Sequence, residues 1–457
     1  MRPPPVSATR ALAEHARNLT FSTLPSDAVI AAKHCLLDWL GTTLAGSSEP
    51  LAAILRRQLA PANERGDATL LGAEPVRTSA LLAALVNGAS SHALDFDDTH
   101  TTMSGHPSVP VIPAALALAE ARGLSGERLL TAIVAGIELE CRLGALVNPG
   151  HYAAGFHATG TLGTFGAAAA CAHLLGLDLE RWLHALGLAG TQAAGLKSSF
   201  GTMAKPLHAG KAAHDGLLAA LLAEGGFTGN PSIVESRQGF AETLHGAADA
   251  PVDAARHLEV LDGYRDRLLV RDTLFKYHAA CYLTHSAIDA ARHLRDEEGV
   301  RPERIEAITV EVPRGSLDVC NIESPLTGLE GKFSLRATLA LGLLGDDTGA
   351  LGTFTDERMR SAELVALRDR VTVAVVAGTS PTATPVTVRT GDGRKHRARV
   401  DVGEPAADLA EQGRRLAAKF LALAAPVVGD ACAQELVALV GGVEELRRVG
   451  PLTGARL

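Results

Sequence analysis

The chain has 457 residues, 47% hydrophobic and 21% charged, which allows two or three domains with a large core and excludes a disordered polymer. Its 43 basic and 51 acidic residues give a formal charge of −8, which argues against the basic face that broad nucleic-acid binding needs, though a few local Lys and His side chains suffice for a small anion. The six cysteines, at 35, 141, 171, 281, 320 and 432, form neither a CxxC pair nor a dense framework, so the chain fits a reducing cytoplasm without disulfides or a zinc ribbon.

In chain order, Met1-Arg2-Pro3-Pro4-Pro5 has no apolar signal core behind it. Ser26 reads as the N-cap of a helix running to about Ala45, with Gly46 as its stop. Helical patterns follow at 79–92, 110–122, 126–146, 159–175, 179–195 and 210–224, with Ser125 and Asp178 at cap positions and Gly123 and Gly176 at stops. The stretch from Leu143 to Leu177 carries no Asp, Glu, Lys or Arg, but Pro149, many glycines and three histidines make it a buried helical core rather than a membrane span. A loop region occupies 225–265. Strand patterns then appear at 304–312, 371–376 and 385–390, and Gly391-Asp392-Gly393 predicts a hairpin turn into 396–402. Helices are expected at about 280–295 and 333–345. The fold class is therefore mainly α, with a helical domain over 1–267, rejoined by 404–457, and a smaller α+β domain over 268–403.

Four runs crowd His, Asp, Thr and Lys among Gly and Pro, where such groups are costly to bury without partners. The first is His92-Ala93-Leu94-Asp95-Phe96-Asp97-Asp98-Thr99-His100, followed by Gly105-His106-Pro107. Its carboxylates repel one another unless a cation, a proton or hydrogen-bond donors offset them. Asp97 and Asp98 read equally as helix-capping groups, whereas Asp95, Thr99 and His106 read as a site. Asp and His also bind metals, but neither HExxH nor DxDxDG spacing is present, so no metal is expected. The second run, Gly155-Phe156-His157-Ala158-Thr159-Gly160-Thr161, puts His157 at a helix start, where anions are attracted. Gly160, Gly163 and Gly166 follow no suitable strand, so they read as close helix packing rather than a nucleotide loop.

In the third run, Gly201 to Lys211, Pro206 favours an extended Lys205 and places its ammonium in a loop before the next helix, a post for a carboxylate. Lys211 reads as a surface residue, and His208 as a first-turn helix residue with a structural hydrogen bond. The fourth run, Lys276-Tyr277-His278-Ala279-Ala280-Cys281-Tyr282-Leu283-Thr284-His285, falls at the junction of the two domains, where ligand sites often form. Cys281 reads as an inert thiol more readily than as a nucleophile, and His285 equally as a structural or a functional imidazole.

Taken together the four runs resemble the MmgE/PrpD family, through His-Ala-Leu-Asp-Phe-Asp-Asp-Thr at 92–99, Gly-His-Pro-Ser at 105–108, Gly-Phe-His at 155–157, Gly-Thr-Met-Ala-Lys-Pro-Leu-His at 201–208 and the segment 276–285. The family comprises 2-methylcitrate dehydratase, cis-aconitate decarboxylase and iminodisuccinate epimerase. The resemblance implies a large all-helical domain with a smaller α+β lid domain, a homodimer, a site in the cleft between the domains, and neither metal nor organic cofactor. It maps Asp95, Thr99, His106, His157, Lys205 and Lys276 onto the family's active-site residues, with His208 in the same Lys-Pro-Leu-His element. The fourth run departs from the family pattern: it lacks a proline, and Cys281 falls where the decarboxylase has a catalytic histidine. His278 lies three positions earlier.

The reaction expected first is elimination of water from a 2-methylcitrate-like hydroxy di- or tricarboxylate. His106 and His157 share the base and acid roles, Asp95 orients a histidine, Lys205 and Lys276 clamp carboxylates, and Thr99 positions the substrate. His208, His278, Cys281 and Tyr282 complete the expected substrate contacts. Epimerisation of an iminodisuccinate-like dicarboxylate, decarboxylation of cis-aconitate, and a non-catalytic helical scaffold binding an acidic metabolite are the alternatives. The expected partner is a small anionic carboxylate, with no nucleic acid and no membrane.

Overall fold

The computed structural model describes residues 7–59, 66–244, 259–263 and 267–454. The Met1–Pro5 segment and part of the 225–265 loop lie outside them. Among the described residues no helix is long and apolar enough to cross a membrane.

Long helices form the first half of the chain. They run over Ser26–Gly46, Ala80–Ser91, Ser108–Ala121, Gly126–Val147, Ala158–Leu175, Leu179–Gly190 and Ala204–Glu224. Their ends follow local chemistry. Ser125 and Asp178 accept the backbone N–H of Arg128 and Arg181, satisfying amides that have no helical partner. Gly176 closes its helix in the left-handed conformation at φ +63°. Ser26 is not a cap. Pro25 takes that place, and Ser26 is the first helical residue.

Two helix boundaries differ from the sequence pattern in ways that matter for the site. The helix expected over 179–195 stops at Gly190. The helix expected over 210–224 begins at Ala204, so Lys205 lies in its first turn and not in a loop. Pro206 is tolerated there because its missing N–H would have no helical acceptor in any case. The preference of a pre-proline residue for extended backbone yields to packing. Gly210 meets Gly88 so closely that a Cβ on Gly88 would lie 2.9 Å from the Gly210 Cα, and this contact draws helix Ala204–Glu224 against helix Ala80–Ser91. The glycines of helix Ala158–Leu175 serve packing as well, with Gly163 fitted against Pro110.

One apolar core joins these helices and includes Trp39, Phe165, Trp182 and Phe240, together with Leu416, Phe420 and Leu436 of the C-terminal helices Leu409–Val428 and Asp430–Gly441. A small hairpin of strands β1 (Ala68–Leu70) and β2 (Val76–Thr78) is inserted in this otherwise helical body. A second core gathers residues between Ala279 and Ala398 around a four-stranded sheet. Its strands are β3 (Ile305–Val312), β4 (Val371–Val375), β5 (Val386–Thr390) and β6 (Lys395–Ala398), in the order β4-β3-β5-β6. Strand β3 pairs parallel to β4 and antiparallel to β5, and the expected hairpin joins β5 to β6. Helices His285–Asp296 and Leu335–Leu344 cover the sheet. The molecule is thus mainly α with a smaller α+β part. Leu94 and Phe96 belong to the second core although they follow a helix of the first, so the loop between them is held at the boundary.

Candidate active site

A cavity of about 410 Å³ opens at that boundary. Thr99, His106, His157, Phe200 and Lys205 line it from the helical side, and Cys281, Tyr282, Val319, Phe333 and Thr382 from the α+β side. A larger hollow, about 850 Å³, lies elsewhere between Leu40, Pro75 and Leu436. Its titratable lining is Asp430, Cys432 and Glu435, with neither His nor Lys to meet an anion, so the smaller cavity is the candidate site.

The loop 92–99 supplies most of the polar groups. The Asp97 carboxylate accepts from His92 Nδ1 at 2.9 Å and lies 3.0 Å from His106 Nδ1. Burial pushes the Asp97 carboxyl up, but the two imidazoles hold it well below the usual carboxylate range. His106 Nδ1 also lies 2.6 Å from the Asp98 carbonyl oxygen. Both neighbours are acceptors only, so this nitrogen carries the proton and Nε2 keeps its lone pair. The same argument fixes His92 with its proton on Nδ1. His92, Asp97 and His106 bring three ligand-type groups within 4.8 Å of one another. Both Nδ1 atoms face the Asp97 carboxylate and donate to it.

His157 caps helix Ala158–Leu175 in extended backbone, and its Nδ1 lies 3.0 Å from His208 Nδ1. Gly195 permits this contact, because at φ +150° a Cβ there would lie 3.3 Å from the His208 ring. The His157 Nε2 is buried and has no partner among the described residues. Burial holds His157 well below its ordinary value, helped by His92, Lys205 and His106, so the ring is neutral at pH 7.

Asp95 adopts φ +52° and forms ion pairs with Lys205 and with Lys276, the latter at 3.3 Å. Burial raises its carboxyl, but the two ammonium groups, Lys205 first, hold it well below the usual range. Asp95 therefore orients lysines, not a histidine; orienting histidines is the work of Asp97. Asp98 accepts from the Ser108 backbone N–H and hydroxyl, the capping role expected of it. Burial, and then the charge of Asp38, push its carboxyl up to about 8.

Not every expected contact reaches the cavity. Lys276 is fully buried behind Asp95 and donates to the Asp95 carbonyl oxygen at 2.8 Å, so it clamps the loop rather than a ligand. His278 is tied at both ring nitrogens, to Asp289 at 3.0 Å and to Thr348 at 2.7 Å, and does not line the cavity. His208 acts on the cavity only through His157. Tyr282 lines the wall, but its hydroxyl is given to the Val402 carbonyl. Thr99 also lines it, with its hydroxyl donated to Gly105 O at 3.1 Å. Cys281 faces the cavity beside Cys320, whose thiol hydrogen-bonds it and draws the Cys281 thiol down. Asp95 and His92 open instead onto a second cavity of about 280 Å³, separated from the first by Lys205 and Phe333.

The sequence reading left His92 out of the site residues and left Asp97 open between a cap and a site, although both stand inside the run it singled out. The signal was available in their spacing of five across a chain reversal. It gave no warning of the aromatic walls Tyr152 and Phe200, nor of Lys332 and Lys419, which grip the loop from far along the chain.

Residues 10–253 match the MmgE/PrpD N-terminal domain, and residues 278–441 match the MmgE/PrpD C-terminal domain. Cis-aconitate decarboxylase of Homo sapiens is 28% identical over 463 residues, covering 98% of this chain and 94% of that protein. The cis-aconitate decarboxylase of Aspergillus terreus is 26% identical over 473 residues, covering 97% and 94%.

Proposed function

The chain belongs to the MmgE/PrpD family, and on that premise we propose that it is a cofactor-independent lyase that eliminates water from a citrate-like hydroxy di- or tricarboxylate. One observation carries the reading. Two imidazoles, His106 and His157, line one cavity beside the Lys205 ammonium, and the partners of His106 Nδ1 leave its Nε2 with a lone pair. His106 Nε2 takes the proton from the carbon next to a carboxylate. In the substrate complex His157 is the protonated imidazolium, its Nδ1–H donating to His208 Nδ1; its Nε2–H gives a proton to the departing hydroxyl and the ring returns to neutral imidazole. The C–H and C–O bonds break, a C=C bond forms, and water leaves. Lys205 stabilises the negative charge that develops on the substrate carboxylate, and Asp95 keeps that ammonium in place. The bound anion raises His157 from the low value that burial imposes, which suits it to proton transfer near neutrality. The reading takes the chain as a cytoplasmic homodimer, which light scattering of the purified protein checks.

Decarboxylation of a cis-aconitate-like acid is the second reading, favoured by the names of the relatives. Cys281 stands where the family resemblance places the decarboxylase's histidine, and His278 is occupied by Asp289 and Thr348.

The test is incubation with citrate, 2-methylcitrate and cis-aconitate in heavy water, followed by NMR and mass spectrometry. Loss of water supports the proposal and release of carbon dioxide replaces it with the second reading. Deuterium uptake without change of formula makes the enzyme an epimerase. In a folded His157→Ala protein turnover should fall roughly 10²- to 10⁴-fold; unchanged turnover removes His157 from the mechanism.

A further inference from the structure

The backbone around Asp95 is held in an uncommon way. Three successive carbonyl oxygens each accept from a different buried lysine: Leu94 O from Lys332 at 2.6 Å, Asp95 O from Lys276 at 2.8 Å, and Phe96 O from Lys419 at 2.7 Å. These lysines come from three separate stretches of chain. Lys419 lies on a C-terminal helix of the first core, Lys276 precedes the second core, and Lys332 sits within it, just before helix Leu335–Leu344.

Two of the three ammonium groups have carboxylate partners, Asp38 for Lys419 and Asp95 for Lys276. Lys332 has no carboxylate within 4.0 Å among the described residues. Its one polar acceptor there is Leu94 O, and the Phe354 ring lies 5.8 Å away. Burial pushes its ammonium down to about 8, against the opposing charges of Asp95 and Glu49 and with the help of Lys276 and Lys205. A desolvated cation without a counter-ion is unfavourable, and an apolar side chain of similar volume fills such a place at lower cost. The return for burying it is the grip on Leu94. That grip bears on Asp95, whose φ of +52° is uncommon for a residue other than glycine, though Asp tolerates it better than most.

We propose that Lys332 is a positioning residue, which carries the seating of the α+β part into the catalytic loop by holding Leu94 O and so keeping Asp95 in the left-handed conformation that turns its carboxylate to Lys205. The inference rests on the reading of Lys205 and Asp95 as parts of the reacting site. Lys332 itself lines the second cavity and not the first, so it does not touch the substrate.

The experiment compares wild type with Lys332→Met and Lys332→Arg by crystal structure, thermal unfolding and steady-state kinetics on citrate, 2-methylcitrate and cis-aconitate. In Lys332→Met, Asp95 is expected to leave the left-handed region and separate from Lys205. On the acid that turns over, kcat should fall roughly 10- to 100-fold while KM changes by less than about threefold. Thermal stability should change little, because a lost hydrogen bond is offset by a relieved cation, and Lys332→Arg should recover part of kcat. A merely structural lysine gives the reverse: a lower melting temperature and full kcat per folded molecule. If Asp95 keeps its φ and its ion pair in Lys332→Met, the proposal is overturned whatever the rate. If Asp95 moves and turnover persists, the clamp stands and the role of Asp95 in the reaction falls. Should Lys332→Met not fold, Lys332→Gln drops the charge but keeps an N–H donor: where that donor holds Leu94 O, Asp95 should keep its φ and kcat should stay near wild type, and where it does not reach Leu94 O, Asp95 should move and kcat fall as for Lys332→Met; any other pairing overturns the proposal.

Discussion

Two sets of acids lie close together in this molecule, equally buried, one charged and the other neutral. Asp95 and Asp97 are ionised, while Asp98, one position further on, and Glu140, in the adjacent helix core, are held as neutral acids. All four have negligible exposure, so burial does not separate them. Partners do. Asp95 has two ammonium groups and Asp97 two imidazoles, whereas Asp98 has only the Ser108 donors and faces the charge of Asp38. Neither oxygen of Glu140 has a hydrogen-bond partner among the described residues. A buried carboxyl is therefore a charged tool or a neutral filler according to which bases the fold brings to it, and the tools lie on the side facing the cavities.

That contrast can be broken in order of expected effect. Lys205→Met should be the most severe. On the proposed reaction it removes the cation beside the substrate carboxylate, for a loss of roughly 10²- to 10⁴-fold in turnover. It also leaves Asp95 with Lys276 alone, costing up to roughly 3–5 kcal/mol of stability in denaturant unfolding. Asp97→Asn should come next. With a neutral amide between them His92 and His106 keep one uncharged acceptor oxygen in place of a carboxylate and gain a competing donor, and turnover should fall about 10²-fold. A folded Asp97→Asn protein with wild-type turnover would show that the imidazoles are oriented by other contacts.

Asp98→Asn should do little to turnover at pH 7, because it replaces a group that is already neutral. Its effect lies in the pH dependence of stability. A carboxyl near 8 in the folded protein and near 3.8 in the unfolded chain is a proton that only the folded state retains between those values. Stability therefore falls as pH rises from about 4 to about 8, and levels off above that. The variant should lack this fall, and melting temperatures of both proteins from pH 5 to 9 check it; parallel curves would mean that Asp98 is ionised. Smallest of all should be Glu140→Gln, an isosteric change of a neutral group, with an expected shift within about 1 kcal/mol. A large loss there would give Glu140 a charge or a partner that the comparison denies it.

Much of this was legible in the residues. Ser125, Asp178 and Gly176 mark helix ends by local hydrogen bonding and backbone freedom, and alternation in 305–312 marks a strand, so caps and strands could be read directly. The run 92–106 declared itself because so many polar groups in an apolar stretch require partners. The boundary at Lys205 was misread because the local rule for a residue before proline was outweighed by the Gly88–Gly210 contact, which lies far apart in sequence.

The sequence by itself determined the helical and strand elements, the family resemblance and the presence of an acid–base set, since all of these depend on neighbours a few residues away or on the order of short motifs. Only the tertiary structure decided which acid serves which base. It gave the histidines to Asp97 and the lysines to Asp95, retired His278 and Lys276 from the cavity wall, and brought Lys332 and Lys419 onto a loop more than two hundred residues distant. The physical reason is that protonation and hydrogen bonding depend on distances of about 3 Å between groups, and contacts that close across the chain are created by packing.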